Sequence, residues 1–255
     1  MKIKVITKEY SEDVKQLTLY PISDVHLGSM QCMEKAFSDY LKMIGEQDNA
    51  AIILAGDLID NGIKTSKTDI YTELYTPREQ KHLMIDYLRP VKDKIICAVR
   101  GNHEYRTSRE VSIDVMEDIC RELGIEDTYA QDAGIIKITL GKDAHHKRVA
   151  YSFLVSHGAG GGMLLGSGLN KPNAYQLAVE GVDGIISGHT HKPAKAPSGR
   201  MVFDPRNNKI TRAKTLIFVC TAWLDMGGYP EQKLMQPVAF HPDTITLSGE
   251  RKEWR

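Results

Sequence analysis

Ala51-Ile-Ile-Leu-Ala-Gly-Asp-Leu-Ile-Asp60 is the stretch that decides the fold of this 255-residue chain. Its apolar first half predicts a buried strand, and that strand stops abruptly at a glycine followed by Asp57 and Asp60. A buried strand that runs straight into acidic residues is typical of a sheet with functional groups at its edge. The stretch therefore predicts an α/β fold with a polar site at its strand ends.

Four further apolar stretches end in polar residues in the same way, and they predict strands over 17–22, 95–99, 148–155 and 184–187. Together with the first stretch, they give five strand ends that carry metal-binding residue types. The five clusters are Asp24-Val-His26, Gly56-Asp57-Leu-Ile-Asp60, Gly101-Asn102-His103-Glu104, Ser156-His157-Gly158 and Gly188-His189-Thr-His191. Because open α/β sheets gather functional residues at the carboxyl ends of their strands, we expect the clusters to meet in one site.

The rest of the chain predicts covering helices and further strands. Apolar residues at helical spacing predict helices over 34–47 and 77–88 and a shorter helix over 172–180. Additional strands are predicted over 134–140, 201–203, 216–220 and 238–247, the last broken near His241-Pro242. Since no repeat or linker interrupts this alternation, residues 1–255 are expected to form a single domain.

The composition narrows the class of protein. Lysine plus arginine equals aspartate plus glutamate at 33 each, which argues against nonspecific coating of nucleic acid. The four cysteines are far apart and form no Cys-x-x-Cys pair, which suits a reducing compartment. The charged first residues predict no signal peptide, and no apolar run is long enough for a membrane span. We therefore expect a cytoplasmic protein that makes no membrane contact.

Each polar cluster taken alone has an ordinary explanation. An aspartate after a strand is commonly a turn former or a helix cap, and Gly-Asn-His can be a plain turn. The Gly-His-x-His cluster is rarer, because residues two apart on an extended segment point to the same face. The joint occurrence of all five clusters, each directly after a strand, indicates a functional site.

In this order and spacing the clusters resemble those of the calcineurin-like metallophosphoesterases, from about Asp24 to His191. The resemblance implies a four-layer α/β/β/α sandwich of two mixed sheets flanked by helices, with a two-metal centre. The implied ligands are Asp24, His26 and His191 for one ion, Asn102, His157 and His189 for the other, and Asp57 as the bridge. His103 is implied as a catalytic residue and Asp60 as its supporting residue.

The chemistry of these side chains agrees with the implied roles. Imidazole and carboxylate ligands without thiolate suit two divalent ions, manganese first, with iron, zinc or nickel as alternatives. Two such ions about 3.5–4 Å apart can clamp the oxygens of an in-line displacement and lower the pKa of a bridging water to give the nucleophilic hydroxide. His103 would then protonate the leaving oxygen, with Asp60 orienting the ring and favouring its charged form.

Two positions depart from the common family pattern. Protein phosphatases of the family carry an arginine where this chain has Asn61, and Glu104 stands where aspartate is usual. A dianionic monoester attracts such an arginine, so Asn61 favours a phosphodiesterase acting on a nucleotide or a nucleic acid. The alternatives are a phosphomonoesterase for a small metabolite or nucleotide and, since some relatives have lost their metal ligands, a non-catalytic scaffold. Assembly into homo-oligomers stays open.

Three local features have two explanations each. The glycine-rich segment 158–168 is either a flexible surface loop or a mobile edge that lets substrate approach the metals. The basic run 192–214 is either a solvated hairpin or a border of the site that attracts polyanions. Arg106, three residues after His103, is a candidate for binding the substrate phosphate.

Overall fold

The structure is a computed structural model that describes residues 3–66, 70–162, 164, 166–227, 231 and 240–255. The strands in these residues are β1 Lys4–Glu9, β2 Gln16–Ile22, β3 Ala50–Leu54, β4 Ile95–Ala98, β5 Ala133–Leu140, β6 Val149–Ser156, β7 Gly184–Ser187, β8 Ala194–Asp204, β9 Lys209–Val219 and β10 Ile245–Ser248. The α-helices are α1 Glu34–Gly45, α2 Pro77–Leu88, α3 Asn102–Val111, α4 Val115–Leu123 and α5 Ser167–Ala178.

The strands form two mixed sheets. The smaller sheet has the order β10-β2-β3-β4, in which β2, β3 and β4 are parallel and β10 is antiparallel to β2. The larger sheet has the order β1-β5-β6-β7-β9-β8, in which β6, β7 and β9 are parallel. The five polar clusters follow the carboxyl ends of β2, β3 and β4 in the smaller sheet and of β6 and β7 in the larger sheet.

Alternation along the strands explains why the two sheets pack face to face. In β3, Ala51 and Ile53 belong to the apolar core between the sheets, whereas Ile52 and Leu54 face the helices. The same alternation in β6 sends Phe153 into the core between the sheets and leaves its neighbour Leu154 to the other face. Strands of period two that are apolar on both faces require cover on both sides.

Helices supply that cover on the two outer faces. Helix α1 packs on the smaller sheet through Phe37, Leu41 and Ile44, which recur at helical spacing, and α2 and α4 share the same apolar cluster. Helix α5 lies on the outer face of the larger sheet, where Tyr175 packs against the outer cluster. The resulting order of helix, sheet, sheet and helix confirms the expected four-layer α/β/β/α sandwich.

Several elements differ from the sequence-based expectation. Strand β1 and helices α3 and α4 were not predicted. The predicted helix over 172–180 begins earlier, at Ser167. Strands β8 and β9 are 11 residues each and longer than the predicted strands over 201–203 and 216–220. The prediction was too short because the exposed, largely polar parts of both strands lack an apolar pattern. The prediction over 238–247 is wrong in extent, since the strand covers only Ile245–Ser248 of the described residues and residues 238–239 lie outside them. No helix among the described residues is long and apolar enough to cross a bilayer.

Candidate metal centre

Backbone hydrogen bonds join the loops that follow the parallel strands. The N–H groups of Asp24 and His26, after β2, donate to the carbonyls of Gly56 and Asp57, after β3, at 3.0 and 3.1 Å. In the larger sheet, the N–H of Gly188 donates to the carbonyl of His157 at 2.9 Å. The polar clusters are therefore held together by the main chain as well as by their side chains.

Two glycines let these loops approach one another. A Cβ on Gly188 would lie 1.9 Å from Ser23 Oγ and 2.4 Å from Asp24 Oδ2, and a Cβ on Gly101 would lie 2.0 Å from Asp57 Oδ1. Neither space could hold a side chain without moving a candidate ligand. The glycines that precede His189 and Asn102 are thus required by close packing at the site.

Asp24, His26 and His191 form the first ligand group. Their donor atoms lie within 4.8 Å of one another. His191 Nε2 is 3.2 Å from both Asp24 Oδ1 and His26 Nε2. The backbone N–H of His189 donates to Asp24 Oδ2 at 2.9 Å, which fixes the direction of that carboxylate.

Asn102, His157 and His189 form the second ligand group. Asn102 Oδ1 lies 3.1 Å from His157 Nε2 and 2.7 Å from His189 Nδ1. The other ring nitrogen of His157 donates to the carbonyl of Ala55 at 2.8 Å, so Nε2 is the nitrogen that faces the group and can bind an ion in place of a proton. A cluster of acceptor atoms aimed at one point is an arrangement that a cation satisfies.

Asp57 lies between the two groups. Its Oδ2 is 3.1 Å from His157 Nε2 and 3.9 Å from His26 Nε2, so one carboxylate oxygen faces both groups. Its Oδ1 accepts a hydrogen bond from the backbone N–H of His103 at 2.8 Å. This is the geometry expected of a bridging ligand, and the nitrogen and oxygen donors around it fit two divalent ions.

Backbone strain concentrates in this region. Of the nine non-glycine residues with positive φ in the described chain, six lie here: Asp24, His26, Asp57, Asn61, His189 and His191. The left-handed conformation is unfavourable for residues with a side chain and is commonly kept where function needs it. The strain therefore marks the strand-end loops as a functional site.

The charges of the site also call for a cation. Burial lowers the pKa of His157, but the carboxylates of Asp57 and Asp24 outweigh it and raise the pKa of His157 to about 10. Burial would raise the pKa of Asp24, yet His191 and His157 bring the pKa of that carboxyl to about 2. The buried carboxylates thus stabilise positive charge beside them, which either protons or divalent ions can supply.

Asp60 contacts both His26 and His103. Its Oδ1 is 3.0 Å from His26 Nδ1 and 3.1 Å from His103 Nδ1. Sequence reasoning assigned Asp60 to His103 only. A carboxylate on the outer nitrogen of His26 orients this candidate ligand and raises its basicity, so Asp60 serves the first ligand group as well.

His103 lies between a carboxylate and a guanidinium. Its Nδ1 is 2.7 Å from the carbonyl of Asp60, while Arg106 Nη2 donates to its Nε2 at 2.9 Å. Burial lowers the pKa of His103, but Asp57 and Asp60 outweigh it, so the net pKa of His103 is raised. The structure therefore brings Arg106, a candidate phosphate contact, to the nitrogen expected to donate the proton.

The two departures from the family pattern have structural explanations. Glu104 is fully buried and accepts hydrogen bonds from the backbone N–H groups of Asp57, Leu58, Ile59 and Gly101. Asn61 is also buried, and its amide donates to the carbonyl of His103 at 2.6 Å and to Thr107 at 2.9 Å. Both side chains hold the loops around the candidate ligands, and Asn61 is fully buried.

The basic run 192–214 contains the predicted hairpin. Strands β8 and β9 pair in antiparallel register, and β9 pairs with β7 only from Leu216 to Val219. The hairpin part before Leu216 therefore extends beyond the start of β7, away from the end that carries His189. Lys192, next to His191, is buried, and its ammonium donates to the carbonyl of Leu164 and to Ser167 Oγ at 3.0 Å each. It ties the glycine-rich segment to the site.

Other supporting residues could not be singled out from the sequence. Gln80 is buried on α2, and its Oε1 accepts the backbone N–H of Asn61 at 2.7 Å. On α3, Tyr105 stands three residues after Asn102, and this helical spacing places both residues on one face. The spacing could have identified Tyr105 only if α3 had been predicted. The guanidinium of Arg100 lies 4.6 Å from the centre of the Tyr105 ring.

Comparison with known proteins agrees with this geometry. No curated protein matches the chain significantly. The model of the family described as calcineurin-like phosphoesterase matches residues 17–193, which is more than half of the chain and includes both ligand groups, Asp57, Asp60 and His103. With its sandwich fold and its paired groups of metal-binding side chains, the chain belongs to the calcineurin-like phosphoesterases, a family of metal-dependent phosphoester hydrolases.

Proposed function

We propose that this protein is a phosphodiesterase with two divalent ions, manganese first, and that it acts on a nucleotide or nucleic-acid substrate. The observation that carries the proposal is the position of Asp57 Oδ2, 3.1 Å from His157 of one ligand group and 3.9 Å from His26 of the other. A carboxylate shared by two sets of nitrogen and oxygen donors is the arrangement that two-metal hydrolysis needs.

Each candidate ligand then has a definite task. The first ligand group would hold one ion, the second ligand group would hold the other, and Asp57 would bridge them. When bound, the two ions supply an activated hydroxide and the positive charge that stabilises the transferred phosphoryl group. Hydrogen bonds hold the buried candidate ligands Asp24, His26 and His157 in place before substrate arrives, so little reorganisation is needed there.

His103 would give the proton to the leaving oxygen. A charged His103 ring donates through Nδ1 to Asp60 and keeps a second proton on Nε2 for the leaving group. In the structure, Nε2 accepts a hydrogen bond from Arg106, so the guanidinium has to turn away before Nε2 can be protonated. A phosphoryl oxygen of the substrate is the natural acceptor for the released guanidinium, which gives Arg106 its proposed role in substrate binding.

Arg106 also keeps a phosphomonoesterase as the second candidate. The diester preference was inferred from the lack of an arginine at Asn61, but Arg106 places a guanidinium 2.9 Å from His103 Nε2 on the same helix, α3. A dianionic monoester would gain more from that charge than a diester would. A scaffold role is disfavoured, because the ligand set is complete and His103 is in contact with Asp60.

A substrate panel tests the proposal. The protein is stripped with a chelator, reloaded separately with manganese, iron, zinc or nickel, and assayed with bis-p-nitrophenyl phosphate, p-nitrophenyl phosphate, cyclic nucleotides and single-stranded DNA. We expect two ions per chain, activity that returns best with manganese, and a higher kcat/KM for diesters. Undiminished hydrolysis by metal-free protein would refute the two-metal mechanism, and a tenfold preference for the monoester would make the second candidate the leading one.

Other expectations from the sequence remain predictions. These are the single domain over 1–255, the cytoplasmic location and the possible homo-oligomer. Size-exclusion chromatography with light scattering measures the last of them directly.

A further inference from the structure

An apolar pocket of about 360 Å³ opens beside the second ligand group. It lies between α3 and α5, and its wall includes the two candidate ligands Asn102 and His157. The rest of its lining includes Leu154 from the larger sheet and Tyr175 and Val179 from α5 and its C-terminal end. A cavity of this size with apolar walls next to polar ligands has the character of a small-molecule site.

One wall of the pocket is a fixed aromatic ring. The Arg100 guanidinium lies 4.6 Å from the centre of the Tyr105 ring, and the Tyr105 side chain remains 46% exposed. Arg100, which also lines the pocket, is held by Asp114 at 2.8 Å and by Asp132 at 2.8 Å, so the guanidinium that contacts the ring is itself fixed. An aromatic ring in contact with a cation and open on its remaining surface is a stacking platform for another flat ring.

The pocket and the proposed proton donor lie on different sides of the site. His103 contacts Asp60 and His26, next to the first ligand group, with ring centres of His103 and His26 4.4 Å apart. The pocket instead touches Asn102 and His157 of the second ligand group and has no lining from His103. A phosphodiester carries two organic groups, and the group that receives the proton from His103 has to lie on the His103 side. The group that stays on the phosphorus is free of that requirement, and the pocket beside Asn102 and His157 offers it a place next to the second ligand group.

We propose that this pocket binds the organic group that remains on the phosphorus, and that this group carries a flat aromatic ring such as a nucleobase. The inference rests on the proposed function and narrows it to diesters whose retained group is a nucleoside or a similar aromatic residue. A monoester has no such group, because its only organic group leaves.

Two diesters with the same leaving group test the pocket. Thymidine 5′-(p-nitrophenyl phosphate) and methyl p-nitrophenyl phosphate both release nitrophenolate, but they leave thymidine or methyl on the phosphorus. For the manganese-loaded protein we expect kcat/KM of the thymidine ester to exceed that of the methyl ester by about tenfold or more, the effect of one base–aromatic contact. Because both esters are measured with the same metal-loaded protein, a change in metal content alters both kcat/KM values alike and leaves their ratio unchanged.

Matched variants locate the preference. Ala178→Trp fills the pocket from α5, whereas Leu177→Trp adds the same ring to the preceding residue, which is 86% exposed and does not line the pocket. Tyr105→Ala removes the platform, and Tyr105→Phe keeps it. We expect the thymidine-to-methyl ratio to fall towards one in Ala178→Trp and Tyr105→Ala and to persist in Leu177→Trp and Tyr105→Phe.

Binding of the product thymidine 5′-monophosphate, measured by calorimetry on metal-loaded protein, should weaken in the same two variants. Hydrolysis of both esters with an unchanged ratio in Ala178→Trp and Tyr105→Ala would overturn the pocket and leave the proposed function intact. An equal fall in Leu177→Trp would also overturn it, since the effect would then come from α5 in general. If the metal-loaded wild type hydrolyses neither ester, the proposed function fails, and product binding by the same variants still decides whether the pocket holds the base.

Discussion

The two ligand groups contain similar residue types but have different neighbours. In the first ligand group, His26 is supported by the carboxylate of Asp60 at 3.0 Å, whereas His157 in the second is supported by the carbonyl of Ala55 at 2.8 Å. A carboxylate adds charge and basicity to the histidine, while a carbonyl only orients it. The two histidines are of the same type, but His26 has a charged hydrogen-bond partner and His157 has a neutral one.

The surroundings of the groups extend the contrast. The first ligand group is adjacent to His103 and Arg106, which can exchange protons and bind anions. The second ligand group borders the apolar pocket that begins at Asn102 and His157. We infer that the side of the first ligand group transfers the proton and binds the phosphoryl charge, and that the side of the second ligand group binds the organic part of the substrate. Asp57 connects the sides, so its loss should remove the distinction altogether.

Asp57→Asn should cause the largest effect, because the same oxygen faces both groups. We expect both ions to be lost and kcat/KM to fall by about 10³-fold or more, since two-metal stabilisation is worth several kcal/mol. Elemental analysis and hydrolysis assays measure the two effects. Asp93→Asn is the matched control, because the Asp93 side chain is 89% exposed and pairs with Lys92 at 3.6 Å. Retention of one ion at full strength would contradict the bridging role.

The meeting of the candidate ligands in one place could be predicted from the sequence because each follows a buried strand closely. The apolar run 51–55 and the following Gly56-Asp57 are local signals, and parallel strands bring such ends together. The contact of Asp60 with His26 could not be predicted in the same way, since the residues are 34 positions apart and meet only through loop conformation. The loop that carries His26 has a positive φ at this residue, and no local sequence pattern indicates that conformation.

The pocket illustrates a second limit of prediction. Its walls come from α3, which was not predicted, and from α5, whose start was placed too late. Tyr105 and Tyr175 are separated by 70 positions, and no periodicity relates them. Sequence patterns therefore identified the residues beside the strands but not the surfaces built between separate helices.

His103→Asn should have the next largest effect, but only for esters whose leaving group needs a proton. General-acid help is worth about 10²–10⁴-fold, so a nucleotide or alkyl ester should lose that much in kcat while a nitrophenyl ester loses little. Metal content should be normal, because His103 is assigned outside both ligand groups. Equal losses on both substrates would mean that His103 holds the phosphoryl group, and lost metal would make it a ligand.

Asp60→Asn should act on one side of the site only. Loss of the carboxylate behind His26 should weaken metal binding at the first ligand group by about 10–100-fold and leave the second, with its carbonyl support, nearly unchanged. Metal titration followed by calorimetry should therefore resolve one weakened and one normal site. Asp60→Glu is a useful companion, since it keeps the charge but shifts it. Equal weakening at both sites would contradict the unequal support inferred for the two groups.

Arg106 should give the smallest effect, and the effect should depend on substrate charge. If its guanidinium binds a phosphoryl oxygen, Arg106→Ala should lower kcat/KM about tenfold for the dianionic p-nitrophenyl phosphate and about threefold for the monoanionic bis-p-nitrophenyl phosphate. These losses correspond to about 1.4 and 0.7 kcal/mol, the range of a single hydrogen bond that is stronger to the more highly charged partner. Arg106→Lys should recover part of the loss, and Arg109→Ala, on the exposed face of the same helix, should change neither substrate.

A different pattern would reassign Arg106 to the protein itself. Because Arg106 also donates to the carbonyl of Asp60 at 3.1 Å, a purely structural arginine would stabilise the Asp60 loop, and its removal would reduce both substrates equally and lower the melting temperature. A larger loss for the dianion with an unchanged melting temperature assigns the guanidinium to the substrate. In that case the charge that the family places at Asn61 would here come from α3, on the proton-handling side of the site.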